Sequence, residues 1–281
     1  MPSTPTHYAE SLAFIYRSIA GTRNDSGFVA VGFVVAIESS VQNTYRYYYV
    51  VTNRHVIRDL QRVVVRLKAF PFGFKIVSFA QAEFQRDAKL DVAIAALPEV
   101  EEASFAFLTK ATALAPESLE RLKIGYGTDV FMPSRVVRAN MQYRQRNVSV
   151  IRYGNIALIP QCEEPFYLVE MRSVAGHSGS PVFVYPGPLI FGRARKPEED
   201  FAPMLLGINR GHIEEYTHIL AEVNGTLSKH PHLRSVTNMA ISQVIPAWNI
   251  FEMLESKKFK SQRQRRDAKL MPLAQLTEDV Q

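Results

Sequence analysis

Apolar residues along this chain cluster in short runs rich in β-branched and aromatic side chains. The runs are separated by polar, glycine- and proline-containing turns. "FVAVGFVVAI" at 28–37, "TYRYYYVVT" at 44–52, "RVVVRLKAF" at 62–70, "KIVSFAQAEF" at 75–84 and "DVAIAAL" at 91–97 each read as a strand. Residues 105–123 are less regular, and Pro116 limits the helix that their Ala and Leu content favours. The pattern then resumes with 129–136, 148–158, 166–171, 180–185 and 204–211. Short strands at even spacing, with no strand–helix–strand alternation, predict an all-β sandwich or barrel. Two helices are expected outside it. A short one over 8–17 would place Leu12, Ile15 and Tyr16 on one face. A closing one over 243–258 would turn Trp248 or Phe251, Ile250 and Leu254 inward.

Composition is that of an ordinary globular protein. Of 281 residues, 47% are hydrophobic and 21% charged, enough for a core of normal size. A single cysteine, Cys162, excludes an intrachain disulfide and fits a reducing compartment. The N-terminus has no basic segment followed by a long apolar run, and no apolar stretch is long enough to span a membrane. A cytoplasmic protein without membrane contact is the expectation. The net charge of +6 is concentrated at the end of the chain: residues 257–281 hold seven Lys/Arg against three Asp/Glu. This tail is read as mobile. The near-neutral body argues against nucleic acid as a partner, except through that tail.

Candidate chemistry starts at "GHSGSP", residues 176–181. Glycines flanking Ser178 permit unusual dihedrals and close approach of a substrate carbonyl, although any tight turn uses similar residues. A serine nucleophile needs a base, a carboxylate to orient that base, and backbone N–H groups facing the oxyanion. "YYYVVTNRHVI" offers His55 at the end of a strand, and "KLDVAIAAL" offers Asp91 at the start of one. Asp87 is the alternative acid but reads as an exposed turn, and Asp59 as surface. His7, His212, His218, His230 and His232 lack ligand-type partners, and "KHPH" at 229–232 reads as a surface turn. No metal site is expected.

These segments resemble the trypsin-like serine peptidase superfamily, most of all its bacterial branch of glutamyl endopeptidases and heat-shock-type proteases. The matching residues are Thr52-Asn53-Arg54-His55-Val56, Asp91-Val92-Ala93-Ile94 and Gly176-His177-Ser178-Gly179-Ser180-Pro181. The likeness covers about residues 10–250. It implies two antiparallel six-stranded β-barrels with a short N-terminal and a C-terminal helix. Residues 1–120 would hold the first barrel with His55 and Asp91, 121–242 the second with Ser178, and 243–281 the C-terminal helix and basic tail. It implies a serine endopeptidase without metal or organic cofactor, acting on a protein or peptide through a His55–Asp91–Ser178 triad. The N–H groups of Gly176 and Ser178 would form the oxyanion hole. Arg172, Asn209 and Arg210 would lie near the substrate pocket and favour an acidic side chain. His177 replaces the Asp that secreted relatives use for activation by N-terminal cleavage, so that route is not expected; the imidazole either caps the turn or tunes it by protonation. Restraint would come from narrow specificity, an activating partner protein, or a malformed resting oxyanion hole. The span after the closing helix is too short for an appended peptide-binding module. The alternative is a catalytically silent protein of this fold that serves as a protein-binding module.

Overall fold

The computed structural model describes residues 6–24, 27–42, 44–69, 73–98, 105–135, 149–185, 202–223 and 226–278. It is mostly β. The strands are β1 (Leu12–Tyr16), β2 (Phe28–Glu38), β3 (Arg46–Asn53), β4 (Arg62–Lys68), β5 (Phe74–Ala80), β6 (Gln85–Asp87), β7 (Val92–Ala96), β8 (Leu108–Thr109), β9 (Asp129–Arg135), β10 (Ser149–Leu158), β11 (Tyr167–Glu170), β12 (Pro181–Val184), β13 (Met204–Val223) and β14 (Thr226–Pro246). The helices are α1 (Thr6–Glu10), α2 (Ile19–Asn24), α3 (Arg54–Ile57), α4 (Ser118–Arg121), α5 (Ala247–Leu254) and α6 (Lys257–Glu278).

The strands form two units, antiparallel throughout except that the short β8 runs parallel to β2. The first is an eight-stranded sheet in the order β5-β4-β1-β2-β3-β7-β6, with β8 beside β2; a 3-10 turn at Gln81–Glu83 bends the chain from β5 into β6. This sheet curls without strand pairing closing it, so it differs from a closed six-stranded barrel. The second unit is a closed six-stranded barrel, β10-β11-β14-β13-β12-β9. Each unit has its own core. Val34, Val50, Val63 and Val65 fill the first, and Val130, Met132, Val169 and Leu206 the second. A third cluster, with Phe33, Val51, Ile94, Phe131, Phe183 and Ile245, joins the two units and the closing helices. Full burial of one such side chain contributes about 1.5–3 kcal/mol, so this joint fixes the cleft between the units.

Three sequence expectations change. Residues 8–17 are divided between α1 and β1, because β1 must be extended to pair with both β2 and β4. The tail is not loose: α6 lies against the first unit, with Phe259, Arg263 and Asp267 buried. "KHPH" belongs to β14, which pairs with β13 far beyond the barrel, from Gly207↔Pro246 to Val223↔Thr226. Among the described residues no helix is long and apolar enough to cross a membrane.

Candidate active site

The ends of β3 and β7 bring together the candidate base, His55, and the candidate orienting acid, Asp91. Asp91, just before β7, takes a left-handed φ of 60° that a short polar side chain tolerates. The chain that follows β3 clamps it. The Asp91 carbonyl accepts from the Arg54 N–H (2.9 Å) and the Asn53 amide (3.3 Å). One carboxylate oxygen accepts from the His55 N–H (3.0 Å), and the other lies 2.6 Å from His55 Nδ1. A carboxylate holding both backbone and ring of a histidine fixes the tautomer with Nδ1 protonated, leaving Nε2 as the available base. The Asp91 side chain is 11% exposed and that of His55 42%, so the acid is shielded and the imidazole faces the cleft. Asp87 does something else: its side chain accepts from the N–H groups of Lys89 and Leu90 (2.9 Å each), closing the turn that delivers Asp91.

Ser178 comes from the second unit and docks on the first. Its carbonyl accepts from the Val31 N–H of β2 (3.1 Å). Gly179, at φ +83°, packs so closely that a Cβ there would stand 1.9 Å from the Val31 carbonyl oxygen and 2.6 Å from Thr52 Oγ1. Only glycine satisfies both demands. Gly176 is also left-handed, at φ +94°. The N–H groups of Gly176 and Ser178 have no acceptor among the described residues, the condition that a candidate oxyanion hole has to meet. The Ser178 hydroxyl donates to the Arg210 carbonyl (3.3 Å), and no hydrogen bond joins it to His55 among the described residues. The arrangement therefore holds a hydrogen-bonded His55–Asp91 pair and a serine hydroxyl that rests on the neighbouring strand.

His177 is fully buried beneath this turn. Its Nδ1 accepts from the Val174 N–H (3.4 Å), so Nε2 carries the proton and donates to the Arg135 carbonyl (3.1 Å). Burial, helped by the Arg152 charge, lowers its pKa to about 4; the bond to Arg135 opposes this and His212 adds slightly to it. A neutral imidazole thus caps the turn and ties it to the end of β9.

The residues expected near the substrate separate. Arg172 is exposed. Asn209 is buried, its amide donating to Ser173 Oγ (3.1 Å) and the His177 carbonyl (3.0 Å), while its own backbone exchanges bonds with Gly179 and Ser180. Arg210 lines a cavity of about 370 Å³ beside His55, with Arg54, Ala88, Asp91, Gly211, His212 and Gln243. Sequence reasoning missed Arg54 and Gln243 there; Arg54 stands inside the quoted His55 motif, and Gln243 carried no signal. No cluster of metal-ligating side chains exists among the described residues.

The sequence profile of the trypsin-like peptidase domain matches residues 26–190, a span that contains His55, Asp91 and Ser178. No curated protein matches the chain at a significant level. Among solved structures, the MamO protease domain from Magnetospirillum magneticum is similar at 14% identity, covering 89% of this chain and 98% of that one, with a TM-score of 0.48. A serine endoprotease from Yersinia pestis is similar at 14% identity, over 91% and 66% of the two chains, with a TM-score of 0.47. The catalytically active tobacco etch virus protease is similar at 10% identity, over 92% and 82%, with a TM-score of 0.47. With more than half of its length matched by that profile, the chain belongs to the trypsin-like peptidase domain family.

Proposed function

We propose that this trypsin-like peptidase is a serine endopeptidase of a reducing compartment, working through His55, Asp91 and Ser178. The observation that carries this reading is the double grip of Asp91 on His55, through the backbone N–H and Nδ1, beside a serine whose turn is hydrogen-bonded to the same unit. Rotation about the Ser178 Cα–Cβ bond takes the hydroxyl off the Arg210 carbonyl. His55 Nε2 then accepts its proton as Oγ attacks the peptide carbonyl. The Gly176 and Ser178 N–H groups receive the oxyanion. The imidazolium, stabilised by Asp91, hands the proton to the leaving amine, and water repeats the sequence on the acyl-enzyme. None of these steps needs a metal or organic cofactor. Cys162 is an exposed free thiol and the sole cysteine, which supports the compartment assignment.

The parked hydroxyl favours one further element: a resting enzyme that a substrate or an activating partner protein switches on. Substrate backbone pairing at β13 competes for the Arg210 carbonyl and releases Ser178. Hydrolysis of a fluorescently labelled unfolded protein tests the reading. Turnover by the wild type that falls by on the order of 10⁶ in Ser178→Ala supports it. Turnover that survives in the variant contradicts it, and a folded wild type inert toward substrate and probe alike returns the chain to a binding module.

A further inference from the structure

We infer that the cavity beside His55 is a subsite for a carboxylate side chain of the substrate, read chiefly by Arg54. This rests on the serine-endopeptidase reading for the word substrate, while the binding itself does not depend on catalysis. His55 and Asp91 line the cavity, whereas Ser178 and the exposed Arg172 do not. It therefore receives a side chain neighbouring the scissile bond.

Two guanidinium groups, two imidazoles and one carboxylate line it, and the carboxylate is already engaged. Asp91 gives its two oxygens to the His55 N–H and ring, and the Arg210 Nε lies 3.7 Å from the second of them. His212 is likewise engaged, with Nε2 3.2 Å from Glu214. The Arg210 guanidinium stacks 4.9 Å over the Phe166 ring and donates to Gln243 Oε1 (3.2 Å), which holds its plane while leaving it 38% exposed. Arg54 is different. Its backbone is fixed by the Asp91 carbonyl, yet its side chain has no ion pair or hydrogen bond among the described residues. A half-buried guanidinium on a fixed backbone, unpartnered and facing a polar cavity, lacks one thing, an anion. A carboxylate can take both donors of the Arg54 fork, and the amide nitrogen of Gln243 adds a neutral donor. A Gln amide can accept a hydrogen bond but leaves the charge uncompensated, and a Lys ammonium repels it, so both are disfavoured against Glu.

The test measures binding to Ser178→Ala protein, so that no cleavage intervenes. Fluorescein-labelled peptides of one frame carry Glu, Gln or Lys at each position in turn, and anisotropy gives Kd. Glu at one position is expected to bind about tenfold tighter than Gln there, a margin typical of one charge-assisted hydrogen bond. It should weaken with added salt, and disappear when Arg54→Gln is introduced. Equal affinities for Glu and Gln at every position, a preference that persists in Arg54→Gln, or no binding of any peptide overturns the subsite. Melting curves show whether Arg54→Gln is folded. Probe labelling of the wild-type Ser178 is scored separately. Labelling without a Glu preference removes the subsite and keeps the peptidase; a Glu preference without labelling keeps the subsite and leaves an acidic-peptide binder.

Discussion

At the residue scale, His177 carries a clear pH signature. Its pKa lies near 4 in the folded protein and near the usual 6.5 in the unfolded chain. Between these values the unfolded state binds the extra proton, so the stability that His177 contributes is complete above pH 6.5. It drains away as pH falls toward 4, by about 3 kcal/mol over the window. Urea denaturation of wild type and His177→Asn at pH 7 and pH 4.5 checks this. The variant should lose less stability between the two, even if it starts lower. A second residue-scale expectation concerns Asp91→Asn. The side chain keeps its shape and its short polar character at positive φ, but an amide donates where a carboxylate accepts. The imidazole then turns to the wrong tautomer, and kcat should fall about 10⁴-fold with little change in melting temperature. A drop shared by melting temperature and kcat would mean that Asp91 mainly holds the fold.

At the scale of elements, the site depends on how closely a turn of one unit approaches two strands of the other. Gly179→Ala places a methyl group inside the Val31 carbonyl and adds strain at φ +83°. The variant should lose Ser178 reactivity and about 2–3 kcal/mol of stability, read by probe labelling and chemical denaturation. Helix α6 offers a comparable test. Asp267, on α6, accepts from Ser39 (2.5 Å), Ser40 (2.7 Å) and Tyr47 (2.5 Å). Burial works to raise the Asp267 pKa, but these hydrogen bonds outweigh it and the net shift is downward. Asp267→Ala removes the acceptor of the buried Ser39 hydroxyl, leaves Tyr47 only its longer bond to the Arg263 carbonyl (3.4 Å), and should destabilise the protein by about 2–3 kcal/mol at pH 7. The difference from wild type should shrink in acid, where the carboxyl is protonated. This helix was hidden in the sequence. Phe259, Arg263 and Asp267 recur every fourth residue and form its buried face, yet only one of them is apolar. The periodicity that announces an amphipathic helix was therefore absent, and a basic tail was the natural reading.

At the scale of the whole molecule, the two β units were legible because most of their strands are buried on one or both faces. Val31, Val50, Val51, Ile94 and Phe183 are apolar for that reason, and their runs stand out between turns. The β13–β14 ribbon was legible only at its root. Past His212, residues 214–219 and their partners at 234–237 are exposed on both faces, as Glu215 and Tyr216 are opposite Thr237 and Val236, so burial imposes no alternation there. The cleft residues divide in the same way. His55, Asp91 and Ser178 lie in short motifs whose backbone requirements limit the sequence. Arg54 and Gln243 meet only in space, from α3 and β14, and no spacing announces them. The α3 segment is one turn long, fixed by the Asp91 carbonyl rather than by helix propensity.

The central claim is that these two units together present a reactive serine. The most direct test is labelling of the purified chain with a fluorophosphonate and mapping of the adduct by peptide mass spectrometry, with Ser178→Ala and His55→Ala alongside. The expected result is a single adduct on Ser178 that is absent in the first variant and slowed by orders of magnitude in the second. Folded wild-type protein that stays unlabelled, or that is labelled equally in His55→Ala, would contradict an assembled His55–Ser178 site.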